Sequence, residues 1–291
     1  MSKSIDLKIK ALKSSIFQIT SHHKGGERGR QDLAFSVFVK FSLGVMLNQL
    51  IARYRHYGIT DTELAEHICI DDTHFRLDEK LFGTLNIQAL ATSVRLYKEV
   101  VEALPAFSDV LTMLIEEIAL ADRSGDGLGQ FLTPNDLSSL LATLLHTLET
   151  NDRGARANSW AFYDMSCGAG SLQLPRVAIE ADNGREKTNL IDLEMNDLDP
   201  FMCCAAALQF VSSIVVHEQD LHQLRVTCSN ALTETKPHSK SMIVIKTPEK
   251  LFSRVEEAHN HRIQQTISLY GNFNSLSEKV LNRSKHRTIT A

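Results

Sequence analysis

An apolar run that leads into two closely spaced glycines most constrains the fold of this chain. Residues 162–171 read Phe-Tyr-Asp-Met-Ser-Cys-Gly-Ala-Gly-Ser, a pattern that predicts a strand, a tight turn and the start of a helix. Glycines in such a turn let the backbone approach a ligand closely, and the next helix offers unpaired amides to an anionic group. The segment predicts a parallel α/β sheet that binds a nucleotide-like or amino-acid-like ligand.

An acidic segment follows the next predicted strand. Residues 190–195 lead into Asn196-Asp197-Leu198-Asp199-Pro200. In dinucleotide-type sites a carboxylate at this position accepts hydrogen bonds from ribose hydroxyls, and Asp197 is the candidate. Asp199 followed by Pro200 has the pattern of a helix N-cap. The two roles are compatible because they use different carboxylates.

The chain ahead of this sheet is predicted to be helical from residue 33 to about residue 122. Apolar residues recur at three- and four-residue steps from Phe35 to Tyr54, and Thr60 with Glu63 has the form of a capping box. The segment 63–76 leaves two interpretations open, a helix-turn-helix or ordinary bundle packing. Residues 1–32 mix glycine and charge, which predicts a flexible arm whose basic side chains either contact phosphates or are solvated.

Short apolar runs alternate with helical patterns after residue 124, as expected for an α/β sheet. Predicted strands cover 160–165, 190–195, 214–216, 224–227 and 242–245, and predicted helices cover 136–149, 171–181, 201–212 and 250–269.

Composition narrows the classes of protein further. The chain has 291 residues, of which 43% are hydrophobic, and this fits one large globular domain or two small ones. A net charge of -4 gives no global positive field. We expect a cytoplasmic protein without a membrane partner, because no signal-peptide core or apolar run of about 20 residues is present. The five cysteines and the histidines lack zinc-site spacing, so free thiols and no metal are expected.

Two motifs carry a resemblance to a known family. Residues 129–134, Gly-Gln-Phe-Leu-Thr-Pro, match the element G-Q-x-x-T-P, and residues 164–170 match D-P-x-C-G-[ST]-G with Met165 and Ala169 substituted. In this order, they make the chain similar to adenine-specific (N6) DNA methyltransferases, closest to the modification subunit of type I restriction enzymes. The resemblance implies S-adenosylmethionine as cofactor, with the first motif beside its methionine end, the second beneath it and the later acid on the ribose. The residues implicated are Gln130, Phe131, Thr133, Asp164, Gly168, Gly170 and Asp197.

A third family element, G-[ND]-x-L, carries a polar side chain that meets the adenine amine of the cofactor. Residues 229–232, Ser-Asn-Ala-Leu, match it best and make Asn230 the candidate, while Asp220 followed by Leu221 is the competing match. We favour Asn230 because it stands nearer the expected distance before the next strand.

The base-binding element of the family is degenerate in this chain. In the family the next strand ends in [ND]-P-P-[FYW], which accepts the amine of a flipped-out adenine and stacks its ring. Here the strand runs into Lys246-Thr247-Pro248-Glu249. A charged lysine only donates hydrogen bonds, and glutamate has no ring, so stacking worth roughly 1–3 kcal/mol is lost. No intact catalytic motif is found, and only one more helix and a polar tail follow.

The resemblance implies an α/β fold, an N-terminal helical bundle followed by a truncated Rossmann-like methyltransferase sheet. The expected organisation is a flexible arm (1–32), a helical domain (33–123), a methyltransferase-like domain (124–272) and a polar tail (273–291). Three functional hypotheses remain: a catalytically impaired, cofactor-binding or regulatory protein; an active DNA adenine N6-methyltransferase subunit completed by a partner chain; and a structural protein that forms a homodimer through an exposed sheet edge. We favour the first. DNA and a restriction-modification subunit are the partners that the resemblance implies.

Overall fold

Helices predominate among the residues that the structure describes, and five strands there form one sheet. The structure is a computed structural model that describes residues 3–24, 26–114, 133–150, 160–233 and 241–288. The elements are α1 (Lys3–Gln18), α2 (Glu27–His56), α3 (Asp61–His67), β1 (Ile68–Ile70), α4 (Glu79–Phe82), α5 (Ile87–Ala103), α6 (Asn135–Thr150), β2 (Trp160–Asp164), α7 (Gln173–Asp182), α8 (Arg185–Thr188), β3 (Ile191–Asp197), α9 (Pro200–His217), β4 (Gln223–Cys228), β5 (Ser241–Lys246) and α10 (Glu249–Thr288).

The sheet is mixed, with strand order β1-β5-β4-β3-β2. Strands β2, β3 and β4 are parallel, whereas β5 pairs antiparallel with both β4 and β1. The expected α/β class, with N-terminal helices followed by a sheet, is confirmed. The predicted parallel arrangement holds for three strands only. Strand β2, which leads into the glycine turn, lies at one end of the sheet.

Helices α2 and α9 form the centre of the core. Phe35 of α2 contacts Phe201 of α9 with their ring centroids 5.8 Å apart. Both helices are long and apolar enough by composition to cross a membrane, and 56% and 72% of their apolar windows are buried inside the protein. The predicted strand 214–216 is wrong, since these residues belong to α9. That helix is buried nearly all round, and such a helix lacks the one-sided periodicity that identifies a surface helix.

The expected flexible arm over residues 1–32 is also wrong. Residues 3–18 form α1, and Leu12 and Ile16 on this helix are fully buried. The Ser15 hydroxyl donates to the Ala89 carbonyl of α5 at 3.1 Å and accepts from the Ser93 hydroxyl at 3.0 Å. Apolar burial along one face therefore holds α1 against α5 despite the polar composition of the segment.

The expected boundary between a helical and a methyltransferase-like domain is not observed, because residues 1–248 form one compact unit. Strand β1, from the predicted helical domain, pairs with β5 so that Ile68 lies opposite Ile245. The same strand follows α3 directly, which contradicts the helix-turn-helix interpretation of residues 63–76. Residues 249–291 form a second unit, in which α10 extends to Thr288 through most of the expected polar tail.

Candidate functional site

The carboxyl ends of β2, β3 and β4 meet at one edge of the sheet, because these strands are parallel and adjacent. The buried side chain of Asn196, near the end of β3, joins the loops on either side. Its Nδ2 donates to the carbonyls of Met165 at 3.1 Å and Ser229 at 3.0 Å. Its Oδ1 accepts from the Ser229 hydroxyl at 2.7 Å. One side chain thus fixes the loops that follow β2 and β4.

Asp197, the last residue of β3, holds the glycine turn. Its Oδ2 accepts from the Gly168 amide at 2.8 Å, and its Oδ1 accepts from the Asp199 amide at 2.9 Å. Each carboxylate oxygen keeps a further lone pair, so Asp197 can hold the turn and accept from a ligand hydroxyl at the same time. Asp199 accepts from the Phe201 amide at 2.8 Å, which confirms its predicted role as the N-cap of α9.

The glycine turn has two residues in the left-handed region, Gly168 at φ 53° and Gly170 at φ 91°. A Cβ added at Gly170 would lie 3.1 Å from Cε2 of Phe210, so this glycine lets the turn pack against α9. The amides of Cys167 and Gly170 donate to the carbonyls of Asn196 and Cys167 at 2.9 and 2.8 Å. Together with Gly168, these amides serve the turn itself and not an anionic ligand.

Asp164, at the end of β2, carries an unused acceptor at this edge. Its carboxyl group is buried; Oδ1 accepts from the Ser166 amide at 3.2 Å, and Oδ2 has no hydrogen-bond partner. Burial raises the pKa of Asp164, hydrogen bonding to the Ser166 amide and to the Gln173 side chain partly opposes that shift, and the charge of Asp197 raises the pKa further. A buried acceptor without a donor is costly. Asp164 and Asp197 together favour a ligand that carries positive charge and hydroxyl donors.

Gln209 of α9 links the glycine turn to the helical segment 110–114, a role that no motif in the sequence predicted. Its Nε2 donates to the Ala169 carbonyl of the turn and to Oδ1 of Asp109, both at 2.9 Å. Its Oε1 accepts from the amides of Val110 and Leu111 at 2.7 and 2.9 Å. A glutamine inside so apolar a helix was the available signal, because a buried polar side chain requires partners.

A second contact joins the same two segments. The hydroxyls of Thr112 and Ser171 lie 2.7 Å apart, and both residues are buried. Oδ2 of Asp109 has no partner. Segment 110–114 leads along the chain towards Gln130 and Phe131, which lie outside the described residues, and Thr133 is half-buried two residues before α6.

The loop after β4 brings Asn230 to the same edge as Asp197. The Ser229 amide donates to the Asp197 carbonyl at 3.1 Å, and Oδ1 of Asn230 accepts from the Leu232 amide at 3.0 Å. The competing candidate, Asp220, precedes β4 and is fully engaged elsewhere. It forms a buried ion pair with Arg53 and accepts from the Tyr54 hydroxyl at 3.1 Å.

Residues 246–248 do not reach this edge. Because β5 is antiparallel to β4, Lys246 lies opposite Gln223 at the start of β4. The Thr247 hydroxyl donates to the Leu221 carbonyl at 2.6 Å. Pro248 follows, and Glu249 begins α10 in the second unit. The direction of β5 therefore corrects the expected position of the degenerate motif, since it carries Lys246, Thr247 and Pro248 to the opposite end of the strands.

The structure groups five of the predicted site residues at the carboxyl edge of the sheet: Asp164, Gly168, Gly170, Asp197 and Asn230. Asn196 and Gln209 fix the loops that carry them.

Comparison with known proteins gives one curated relative, the type I restriction enzyme MpnII methylase subunit of Mycoplasma pneumoniae. It is 28% identical over 144 residues, which cover 48% of this chain and 23% of that protein. Two solved structures share 10% identity with the chain. A class I S-adenosylmethionine-dependent methyltransferase from Listeria monocytogenes has a TM-score of 0.42 and coverages of 76% of this chain and 52% of its own. A type I modification subunit from Vibrio vulnificus has a TM-score of 0.41 and coverages of 80% and 56%.

The chain thus spans about a quarter of the curated relative and little more than half of these solved structures. The sequence profile described as N-6 DNA Methylase matches residues 103–265, more than half of the chain, and this range includes the whole carboxyl-edge site. A match to this family implies S-adenosylmethionine as the cofactor. The chain belongs to the N-6 DNA methylase family.

Proposed function

We propose that this protein binds S-adenosylmethionine at the carboxyl edge of β2, β3 and β4 and acts in the cytoplasm as a regulatory methyltransferase-like protein with impaired catalysis. The observation that carries the proposal is the unpartnered, buried Oδ2 of Asp164 beside the turn that Asp197 holds. Two carboxylates at this edge suit a ligand with a cationic methionine portion and a ribose.

Each residue at the edge has a proposed role. Asp197 accepts hydrogen bonds from the ribose hydroxyls with its remaining lone pairs. Asp164 accepts a hydrogen bond from the cationic portion of the cofactor. Asn230 meets the adenine amine, while Gly168 and Gly170 let the backbone approach. Family resemblance assigns the methionine end to Gln130, Phe131 and Thr133. The bound cofactor supplies a methyl group activated by a sulfonium, and these residues bind and orient it.

Impaired catalysis follows from the direction of β5. An adenine amine that is to be methylated needs an acceptor and an aromatic face next to the cofactor. Among the strands that the structure describes, β5 is the one matched to that element by sequence, and it ends at the opposite edge of the sheet. Lys246 and Thr247 therefore do not contribute to a base site beside Asp164.

A second candidate function is an active DNA adenine N6-methyltransferase completed by a partner chain, such as a restriction-modification subunit. The observation that favours it is that β2 ends the sheet, and no described strand pairs with its outer edge. A parallel strand added there would have its carboxyl end beside Asp164. Methyl transfer to DNA that depends on a second chain would support this function over the first.

Calorimetric titration with S-adenosylmethionine and S-adenosylhomocysteine tests the cofactor site. We expect dissociation constants between about 1 µM and 1 mM for the unaltered protein. Asp164→Asn and Asp197→Asn should each weaken binding by about tenfold or more, which corresponds to roughly 1.4 kcal/mol. The matched control, Asp182→Asn, changes an exposed acid at the end of α7 and should leave affinity unchanged. A flat titration with the unaltered protein refutes the site.

Transfer of labelled methyl groups to DNA tests the impaired chemistry separately. We expect no incorporation above background from the chain alone, even at cofactor concentrations that saturate binding. Robust incorporation that disappears in an Asp164→Ala variant with an unchanged circular dichroism spectrum would contradict the proposal of impaired catalysis. It would leave cofactor binding intact, so the two parts of the proposal fail independently.

A further inference from the structure

Helix α6 exposes an apolar face along its whole length. Six of its leucines are 37–64% exposed, although a helix of a folded protein ordinarily buries such residues. They recur at steps of three, one, three, one and three residues, and at 100° per residue they cover one continuous stripe about 140° wide. This surface, here called the leucine stripe, consists of Leu137, Leu140, Leu141, Leu144, Leu145 and Leu148.

The helix is attached to the rest of the protein by a different face. Ser138 and Ala142 are buried, and His146 contacts Glu180 of α7 at 3.1 Å. Glu180 also accepts from the guanidinium of Arg176 at 2.8 Å, so a polar cluster fixes the attachment. Small and polar residues thus hold α6 against α7, while the larger leucines point away. The stripe is therefore presented on a helix whose orientation is already set.

We propose that the leucine stripe binds the same stripe of a second copy of this chain, so that two α6 helices pair across a two-fold axis. The central leucines, Leu137, Leu141, Leu144 and Leu148, are spaced four, three and four residues apart. This is the alternation that packs knobs into holes between two helices. Leu140 and Leu145 lie on the flanks of that seam.

The area of the stripe is sufficient for such a pairing. About half of each of six leucine side chains gives on the order of 500 Å² per copy, which lies in the range of the largest apolar patch on a typical monomer. Two copies would bury about 1,000 Å² together, close to the lower limit for a specific interface. Isologous pairing is also the commonest symmetry for a soluble oligomer.

Charge also favours a second copy over a different partner. Along α6 the formally charged side chains are Asp136 and Glu149, one near each end of the helix. Ser139, Thr143 and Thr147 lie outside the stripe and are neutral and exposed. Flanking charges normally select partners between paired helices. Without them, nothing along the stripe repels an identical surface.

Light scattering after size-exclusion chromatography of the full chain tests this pairing. We expect the mass of a dimer at about 100 µM and dissociation on dilution. Leu144→Glu and Leu144→Lys should each weaken association at least about 100-fold, because each change removes two leucines from the interface and places like charges near the axis. The matched control, Thr143→Glu, alters the neighbouring residue away from the stripe and should leave the dimer intact.

Mixing the two charge variants identifies the partner of the stripe. Leu144→Glu and Leu144→Lys, each monomeric alone, should form a mixed dimer, since opposite charges then meet at the axis. Far-ultraviolet circular dichroism and the thermal midpoint of each variant should match those of the unaltered chain, as position 144 is exposed. A monomeric unaltered protein at the highest concentration, a dimer that both variants leave intact, or a mixture that does not associate overturns the proposal. So does a stripe occupied only by a different protein or by a membrane surface.

Discussion

Replacing Gln209 by methionine removes hydrogen bonds while it nearly preserves side-chain volume. Four bonds of 2.7–2.9 Å are lost: two from Nε2, to Ala169 and Asp109, and two to Oε1, from Val110 and Leu111. A buried hydrogen bond contributes about 1 kcal/mol net, and each buried group left without a partner costs about 1–3 kcal/mol. Because Gln209 is 3% exposed, water does not readily take the place of its lost hydrogen bonds. We expect a loss of about 3–5 kcal/mol in the free energy of unfolding.

Urea denaturation followed by circular dichroism measures this loss. Gln209→Glu separates the two halves of the network, since a carboxylate still accepts from Val110 and Leu111 but cannot donate to Ala169 and repels Asp109. It should therefore destabilise the protein at least as much as the methionine variant does. The matched control is Gln31→Met, which removes one long bond of 3.5 Å on the surface of α2 and should change stability by less than about 0.5 kcal/mol.

The cofactor affinity of Gln209→Met supplies a readout beyond stability. The Ala169 carbonyl lies between the two glycines of the turn, so loss of its donor should weaken S-adenosylmethionine binding at temperatures where the variant is still folded. A loss below about 1 kcal/mol, with affinity unchanged, would refute the reasoning that this network holds the turn.

Three further experiments test the glycine turn, the role of Asp164 and the direction of β5. Gly170→Ala should lower the free energy of unfolding, measured in urea, by about 2–4 kcal/mol, because φ is 91° and the added Cβ would lie 3.1 Å from the Phe210 ring. The control Gly44→Ala, in open space within α2, should be neutral or stabilise the protein by up to about 1 kcal/mol. Burial raises the pKa of Asp164, so calorimetric affinity for S-adenosylmethionine should fall as the pH drops through that raised pKa, because protonation removes the charged acceptor. A profile that Asp164→Asn leaves unchanged would exclude this group. Gln223→Cys combined with Lys246→Cys should form a disulfide on mild oxidation, visible by mass spectrometry, since these residues lie directly opposite each other; failure to form it would contradict the direction of β5.

Local patterns in the sequence were sufficient to predict most elements of the fold. Strands β2, β3 and β4 begin and end within two residues of their predicted limits, because each is a short apolar run bounded by turn signals. The prediction of a flexible arm over residues 1–32 was wrong because the sequence there carries no such local signal. Polar composition hid the buried positions Leu12 and Ile16, and their burial depends on α5, which lies far along the chain.

The residues of the candidate site also fall into those that local sequence predicts and those that it does not. Asp164, Gly168, Gly170 and Asp197 belong to contiguous motifs that carry their own signal. The residues that position them act across the fold: Asn196 reaches 33 residues to Ser229, and Gln209 joins segments 100 and 40 residues away. No short pattern encodes such contacts, because each depends on how α9 and the strands pack together.

The direction of β5 has the largest consequence for function, and the alternation of residues 241–246 does not reveal it. Side chains alternate between the faces of a sheet in the same way whether a strand is parallel or antiparallel. The segment that connects β4 to β5, however, did carry information about the direction of β5. Residues 229–240 separate β4 from β5. This length just meets the dozen residues that a parallel crossover needs, but such a crossover usually includes a helix. These twelve contain Pro237 and no helical periodicity, which favours a direct antiparallel return. The chemistry of Lys246 is then not what the proposal of impaired catalysis depends on. Any residue at position 246 would lie opposite Gln223, so replacing this lysine by asparagine would change the far edge of the sheet and supply no acceptor beside Asp164.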